Sequence, residues 1–412
     1  MLAVLKAGGA FLLLDPTLPP ERLKLMCSKV SAVLALASQV SAAIVQDLAR
    51  AVVIVTRDSI QATPLTLIVN TVRTTNTAFV IFTSGSTGEP KGCSVEHSAA
   101  CSALIGNGQR LGINASTRSL QFSSFSFAAS LFEIQVTLVF GGCVCIPTEE
   151  QRRTDLSSVI TSMRINWTFL TPTTLDSLSS SLVPSLSTVC VGGEPVRASQ
   201  IIQWETRVHL RQTYGSSETG LVSSTRLTRT SSPKDVGKAY TGVYWVVDPN
   251  DHNRLLPAGV VGEVLIEGPI LGREYIGAPD KTAATFIAAP AWRCSFGIST
   301  GLPRLYKTGD LARHKKDGSL ELLGRKDSQV KLRGQRIELG EVEHQARLAE
   351  TDVKELAVEL IKGENQDSML ACFVVIDDSG EHGQTGATPS AVYGADRVRS
   401  NRTPASDMVE EG

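Results

Sequence analysis

The sequence predicts an α/β fold: a large N-terminal domain of layered α/β subdomains plus a β-rich subdomain, with an incomplete small α+β C-terminal domain. Three observations carry this. Over residues 1–145 short apolar runs alternate with helical patterns, as helices layered on a largely parallel sheet require. From about Val243 the chain changes to strands and turns. After Gly324 come a basic amphipathic stretch, a helix and one good strand, and then the apolar residues thin out.

In chain order, residues 1–15 read as a short helix, a Gly8-Gly9 turn and a buried strand. That reading explains the segment better than a secretion leader does, because Lys6 sits inside the apolar run and no small-residue cleavage site follows. Val33–Ala37, Ala51–Val55 and Ala78–Phe82 predict strands. Pro20–Val30, Val40–Leu48 and Ser94–Leu111 predict helices. Leu131–Phe140, the glycines 141 and 142 and the run Cys143–Ile146 repeat the helix-turn-strand theme. Trp167–Leu170 and Thr188–Val191 are buried strands, and Tyr244–Val247, Gly262–Glu267 and Leu320–Leu323 belong to the β-rich part. Gln329–Ile337 is basic and amphipathic, a helix begins near Leu339, and Met369–Ile376 is a strand. The expected organisation is a core over 1–326, a partial small domain over 327–376 and a polar, disordered tail over 377–412.

The 412 residues are 42% hydrophobic, enough for a substantial core. A net charge of −1 offers no general surface for nucleic acid or an anionic membrane, and no run reaches transmembrane length. Eight cysteines are scattered without a C-x-x-C pair. They read as reduced, mostly buried thiols of a cytoplasmic protein.

One loop carries chemistry. Thr83-Ser84-Gly85-Ser86-Thr87-Gly88-Glu89-Pro90-Lys91-Gly92 directly follows the apolar run Ala78–Phe82. Glycines let backbone N–H groups approach an anion, and hydroxyls and a lysine add donors and charge, so phosphate is the natural ligand. The spacing is not the Walker pattern, which needs Gly-Lys-Ser/Thr after its gap.

The whole string resembles the phosphate loop of the adenylate-forming (AMP-binding) enzymes: acyl-CoA synthetases, luciferases and adenylation domains of nonribosomal peptide synthetases. Further strings fit that family in order: Leu5-Lys6-Ala7-Gly8-Gly9-Ala10-Phe11 with Asp15-Pro16; Tyr214-Gly215-Ser216-Ser217-Glu218-Thr219; Gly262–Gly268 through Gly272-Arg273-Glu274-Tyr275; Tyr306-Lys307-Thr308-Gly309-Asp310-Leu311; and Gly324-Arg325-Lys326-Asp327 through Glu343. The wording of the last string points to the fungal peptide-synthetase branch.

The resemblance implies ATP-dependent activation of a carboxylic acid as acyl-adenylate, with Mg²⁺, and transfer to the phosphopantetheine thiol of a peptidyl carrier domain in secondary-metabolite synthesis. It implies that Thr83, Ser84, Gly85, Ser86, Thr87, Gly88 and Lys91 hold the β- and γ-phosphates. Glu218 would bind the metal, and Tyr214 with Gly215 and Ser217 would hold adenine. Gly192, Gly193 and Glu194 would line the adenine pocket. Asp310 would accept from the ribose hydroxyls, with Arg325 assisting at ribose or phosphate. Thr83, Lys91, Glu218 and Arg325 are thus the expected catalytic groups, and Asp327 the hinge of the small domain.

In amino-acid-activating relatives an aspartate after the Phe of a Phe-Asp-x-Ser string pairs with the substrate ammonium. Here Phe127 is followed by Ala128. Burying an ammonium without a counter-charge is costly. The expected substrate is therefore an aryl or hydrophobic acid lacking an α-ammonium: an aminobenzoate, or a branched hydroxy or keto acid. Alignment of the motifs gives Phe127, Ala128, Ala129, Phe132, Phe169, Val189, Val191, Thr213, Leu221 and Val222 as its pocket.

The resemblance also implies a domain shortened at both ends. No Asn-Gly-Lys string follows Ile376 to supply the adenylation lysine, and few residues precede Leu5. Weak or absent adenylation by the chain alone is the expectation. Two other readings stay open: a free-standing acyl- or aryl-CoA ligase, and an inactive ATP-binding remnant.

Overall fold

A computed structural model describes residues 1–61, 71–85, 89–296, 304–332, 334–349, 353–362 and 368–376. The expected disordered tail, and Ser86, Thr87 and Gly88 of the phosphate loop, lie outside the described residues. The chain forms two compact units, one of Met1–Gly85 with Pro90–Arg336, the other of Ser86–Glu89 with the residues from Ile337.

Three larger sheets organise the first unit, beside a two-stranded parallel pair, Leu34–Ala37 with Ala51–Ile54. One of the three has the order Gly220–Arg226, His209–Ser216, Thr188–Val191, Trp167–Leu170, Arg118–Leu120, Cys143–Cys145, parallel throughout except for its first pair. Trp167–Leu170 and Thr188–Val191 keep the bounds that their apolar runs predict, because helices cover both faces of the sheet. Strand alternation sorts their side chains. Leu170, Val189 and Val191 join Ile160, Ile201 and Trp204 on one side. Phe169 and Cys190 join Val136 and Phe132 on the other.

A second sheet runs Phe11–Leu12, Thr77–Thr83, Lys91–Glu96, Glu274–Tyr275. It corrects one expectation: Ser94–Glu96 is strand, and the helix starts only at His97. Lys91–Glu96 is interior at four consecutive positions yet contains Gly92, Cys93 and Ser94, so its small residues hide it from a hydrophobic pattern. The third sheet is antiparallel, with Asp235–Gly237, Leu320–Arg325, Arg304–His314, Gly262–Glu267 and Val243–Val247 in that order and Phe286–Ala288 added to Arg304–His314. It is the β-rich subdomain.

Smaller differences are local. The helix expected from Leu131 begins at Ala128, and Val40–Leu48 resolves into a 3₁₀ turn, Gln39–Ser41, and a short helix, Ala42–Val45. The amphipathic stretch after Ser328 is a hairpin, Gln329–Leu332 with Gln335–Glu338. The second unit carries the helix Leu339–Ala349 and an antiparallel pair, Val353–Lys362 with Ser368–Ile376. Glu343 accepts from the Val358 amide at 3.0 Å, tying helix to strand.

Candidate functional site

The loop after Thr77–Thr83 returns as an antiparallel strand, which pairs Thr83 with Lys91 on one rung. Both ends of the phosphate loop therefore stand side by side. The Thr83 hydroxyl is buried and has no hydrogen-bond partner, an orphan that calls for a ligand. The Ser84 hydroxyl donates to the Arg336 carbonyl at 2.8 Å, and Gly85 is buried. Lys91 holds its ammonium 4.9 Å from the centre of the Tyr275 ring.

The hairpin of His209–Ser216 and Gly220–Arg226 supplies Glu218. Its register slips between Tyr214 and Gly215, and a Cβ on Gly215 would stand 2.0 Å from the Gly220 carbonyl oxygen. Only glycine lets the chain close there. The turn buries Glu218 completely. Its carboxylate accepts from Tyr275 Oη at 2.8 Å and from Arg336 Nη1, which lies 3.3 Å from both oxygens. Burial pushes this carboxyl up; the Arg336 and Lys91 charges and the tyrosine hydrogen bond outweigh burial and hold it at about 2. Arg336 was not identified from the sequence. Its one signal was membership of a basic stretch with Lys331 and Arg333.

Asp310 and Arg325 face each other across Arg304–His314 and Leu320–Arg325. Arg325 Nη1 donates to Asp310 Oδ1 at 2.7 Å, and its Nε and Nη2 each donate to Asp327 at 2.7 Å. Tyr214 Oη donates to the other Asp310 oxygen at 2.5 Å. Burial, and then the Asp310 charge, push the Tyr214 phenol well above its ordinary range, so it stays a donor. The bidentate Arg325 outweighs burial and holds Asp327 below the usual carboxylate range. Expected adenine, ribose and hinge residues thus form one chain of hydrogen bonds.

A cavity of about 440 Å³ opens beside Tyr214 and Gly215; Thr83, Lys91, Glu218, Asp310 and Arg325 do not line it. Tyr214, Gly215, Ser217, Gly192 and Gly193 are on its wall. So are Phe127, Ala128, Ala129, Phe132, Phe169, Thr213 and Leu221. Val189, Val191 and Val222 are not, since strand alternation turns them into other cores. Glu194 also stays off the wall and accepts from the Thr173 amide and hydroxyl at 3.1 and 2.6 Å. Lys331 was not expected on the wall; burial lowers its ammonium, partly countered by Asp310. The described lining includes two cations, Arg152 and Lys331, and no carboxylate.

Among the described residues no three His, Cys, Asp or Glu side chains cluster for a metal. The donors suit Mg²⁺ delivered on a nucleotide, which takes one or two protein carboxylates plus phosphate oxygens. Glu218 would supply the ionised carboxylate, and the orphaned Thr83 hydroxyl belongs to the adjoining loop.

A family profile described as AMP-binding enzyme matches residues 1–276. The chain is 40% identical over 394 residues to D-lysergyl-peptide-synthetase subunit 2 of Epichloe festucae var. lolii, across 92% of this chain and 29% of that protein. It is 40% identical over 410 residues to the nonribosomal peptide synthetase atnA of Emericella nidulans, across 98% and 6%. With the N-benzoylphenylalaninol synthetase apmA of Penicillium brevicompactum it shares 41% identity over 374 residues, across 91% and 16%. The chain therefore spans less than a third of each of these relatives. Its fold matches holo-PA1221, an NRPS protein containing adenylation and PCP domains, with a TM-score of 0.77 at 23% identity, over 92% of this chain and 66% of that one. It also matches the adenylation–PCP fusion NpsA-ThdA from Klebsiella oxytoca, at 0.78 and 22%, over 92% and 76%.

Proposed function

Because this chain belongs to the AMP-binding enzyme family, the adenylate-forming ligases, we propose that its large unit converts a carboxylic acid and ATP into acyl-adenylate and pyrophosphate, and that the acyl group passes to the phosphopantetheine thiol of a peptidyl carrier domain. A substrate carboxylate oxygen bonds to the α-phosphorus while the α–β bridging P–O bond breaks and pyrophosphate leaves. Such chemistry is chiefly positioning and charge stabilisation.

The observation that carries this reading is the grouping of Glu218, Lys91, Arg336 and the unpartnered Thr83 hydroxyl. Thr83, Ser84 and Lys91 hold the terminal phosphates; Asp310 and Arg325 hold the ribose; Tyr214 sits beside the base. Glu218 would hold Mg²⁺, which would supply neutralising charge at the phosphates. Lys331 brings a further cation to the wall where the reacting carboxylate and α-phosphate meet.

The acid lacks an α-ammonium. Ala128 opens the helix Ala128–Val139 on the wall, and the described lining offers no carboxylate to pair an ammonium. One relative is named for N-benzoylphenylalaninol, which contains an aryl acyl group. The eight free thiols support a reducing, cytoplasmic setting. No helix among the described residues is long and apolar enough to cross a membrane.

ATP–pyrophosphate exchange over a panel of acids tests the proposal. Aryl, hydroxy or keto acids are expected to outrun Leu, Phe and Val, and Lys91→Met is expected to lower exchange by about 100-fold, the scale of removing one preorganised charge-stabilising donor. Faster exchange with an ordinary α-amino acid sinks the reading of Ala128. A transferred acyl group found on coenzyme A and never on a carrier domain sinks the reading of the acceptor.

A further inference from the structure

Gln135 brings an amide to the wall of a largely apolar cavity. Gln135 lies on the helix Ala128–Val139, three residues after Phe132 and seven after Ala128, and so shares their face. It borders the cavity, is only 6% exposed, and its side-chain nitrogen Nε2 has no hydrogen-bond partner.

Its polar neighbours on that wall are committed. Asn107 donates to the Ala103 and Leu221 carbonyls and accepts from Tyr240 Oη. Thr213 donates to the Val191 carbonyl, and Arg152 is engaged by the Phe122 carbonyl and Glu149. Ser123 donates to Glu133, and Ser124 to Asp15. A buried amide left unpaired is costly, and native interiors rarely keep one without a purpose. An apolar pocket separates acids of similar size weakly, whereas a hydrogen-bonding group inside it rejects the analogue that cannot pair.

We propose that Gln135 determines acid specificity by hydrogen bonding a neutral oxygen-bearing substituent, a hydroxyl or carbonyl, on the body of an acid without an α-ammonium. The proposal rests on reading the cavity as the acid pocket of the adenylating site. An amide offers a donor or an acceptor according to its flip, so a hydroxyl pairs with it either way.

The test uses matched acids: benzoate against 2-, 3- and 4-hydroxybenzoate, and isovalerate against its 2-hydroxy and 2-keto forms. The full chain, Gln135→Leu and Gln135→Met are compared by calorimetric binding with ATP·Mg²⁺ present and by ATP–pyrophosphate exchange, with thermal melts confirming folding. In the unaltered chain at least one oxygenated acid is expected to exceed its parent by tenfold or more in affinity. Both variants are expected to bring that ratio near one, with the loss falling on the oxygenated member. A ratio unchanged in both variants, a preference for the parent acids in the unaltered chain, or no binding of any of these acids overturns the proposal. Selective, Gln135-dependent binding without exchange overturns the adenylation reading and leaves Gln135 in its role. Exchange with parent and oxygenated acids alike does the reverse.

Discussion

Glu218 sits in the turn between His209–Ser216 and Gly220–Arg226. It is fully buried and ionised, and Arg336 and Lys91 are what keep it so. Arg336→Met leaves that carboxylate without its nearest guanidinium and is expected to cost roughly 3–5 kcal/mol, the range for a broken buried pair. Urea denaturation at pH 7 checks this, and adding Glu218→Gln should recover part of the loss. Because the folded carboxyl is held at about 2 against an ordinary 4.5, its contribution is present above pH 4.5 and lost as pH falls through about 2. Glu133 behaves in the opposite sense. Burial raises it to about 8, against the Ser123 hydroxyl and the amides of Ser123 and Phe122. The stability it confers is complete below pH 4.5 and disappears as pH rises through about 8. Glu133→Gln should flatten the melting temperature between those values. An unchanged slope would mean that Glu133 does not titrate there. Thr83, Lys91, Glu218, Asp310 and Arg325 could be singled out from their strings. Arg336 could not, because nothing in its local sequence distinguishes it from Arg333.

Elements decide which side chains can meet. Asp310 and Arg325 meet because the antiparallel register of their strands makes them opposite neighbours. Gly309 precedes Asp310 at φ +73°, and a Cβ there would stand 2.7 Å from Arg325 Nη2 and 2.9 Å from Asp327 Oδ2. Gly309→Ala should therefore strain the backbone and displace the Arg325 fork together. We expect at least about 1 kcal/mol of lost stability and a weakened affinity for ATP, read by thermal melts and calorimetry. Retained affinity would show that the fork is not needed for the ribose. Apolar runs made Trp167–Leu170 and Thr188–Val191 legible, since full burial leaves a continuous hydrophobic stretch. Lys91–Glu96 was illegible, since a glycine and small polar residues fill an interior strand. The same limit explains Val189 and Val191. Their strand was foreseen, but alternation points both away from the cavity, and one residue of register decides that.

At the scale of the molecule, the family strings follow one another along the chain, yet Lys91, Glu218, Asp310 and Arg325 stand on or beside three different sheets of the first unit. The sequence divides the chain after residue 326, whereas residues up to Arg336 group with the large unit. That difference is testable. A chain ending at Arg336 keeps Lys331, Gly334 and Gln335 on the cavity wall and Arg336 on Glu218. A chain ending at residue 326 loses all four. The longer form should be the more stable in urea and should bind ATP·Mg²⁺ more tightly; equal behaviour would refute a place for 327–336 in the large unit. The sequence by itself determined the α/β class and the family, because each follows from local chemistry: apolar runs, turn glycines and hydroxyls at close spacing. Only the tertiary structure decided that Arg336 neutralises Glu218, 118 positions away, that Lys331 reaches the cavity, and that Gln135 meets it unpaired. Charge pairing and hydrogen-bond satisfaction depend on distance through a dry interior, and spacing along the chain carries no record of that distance.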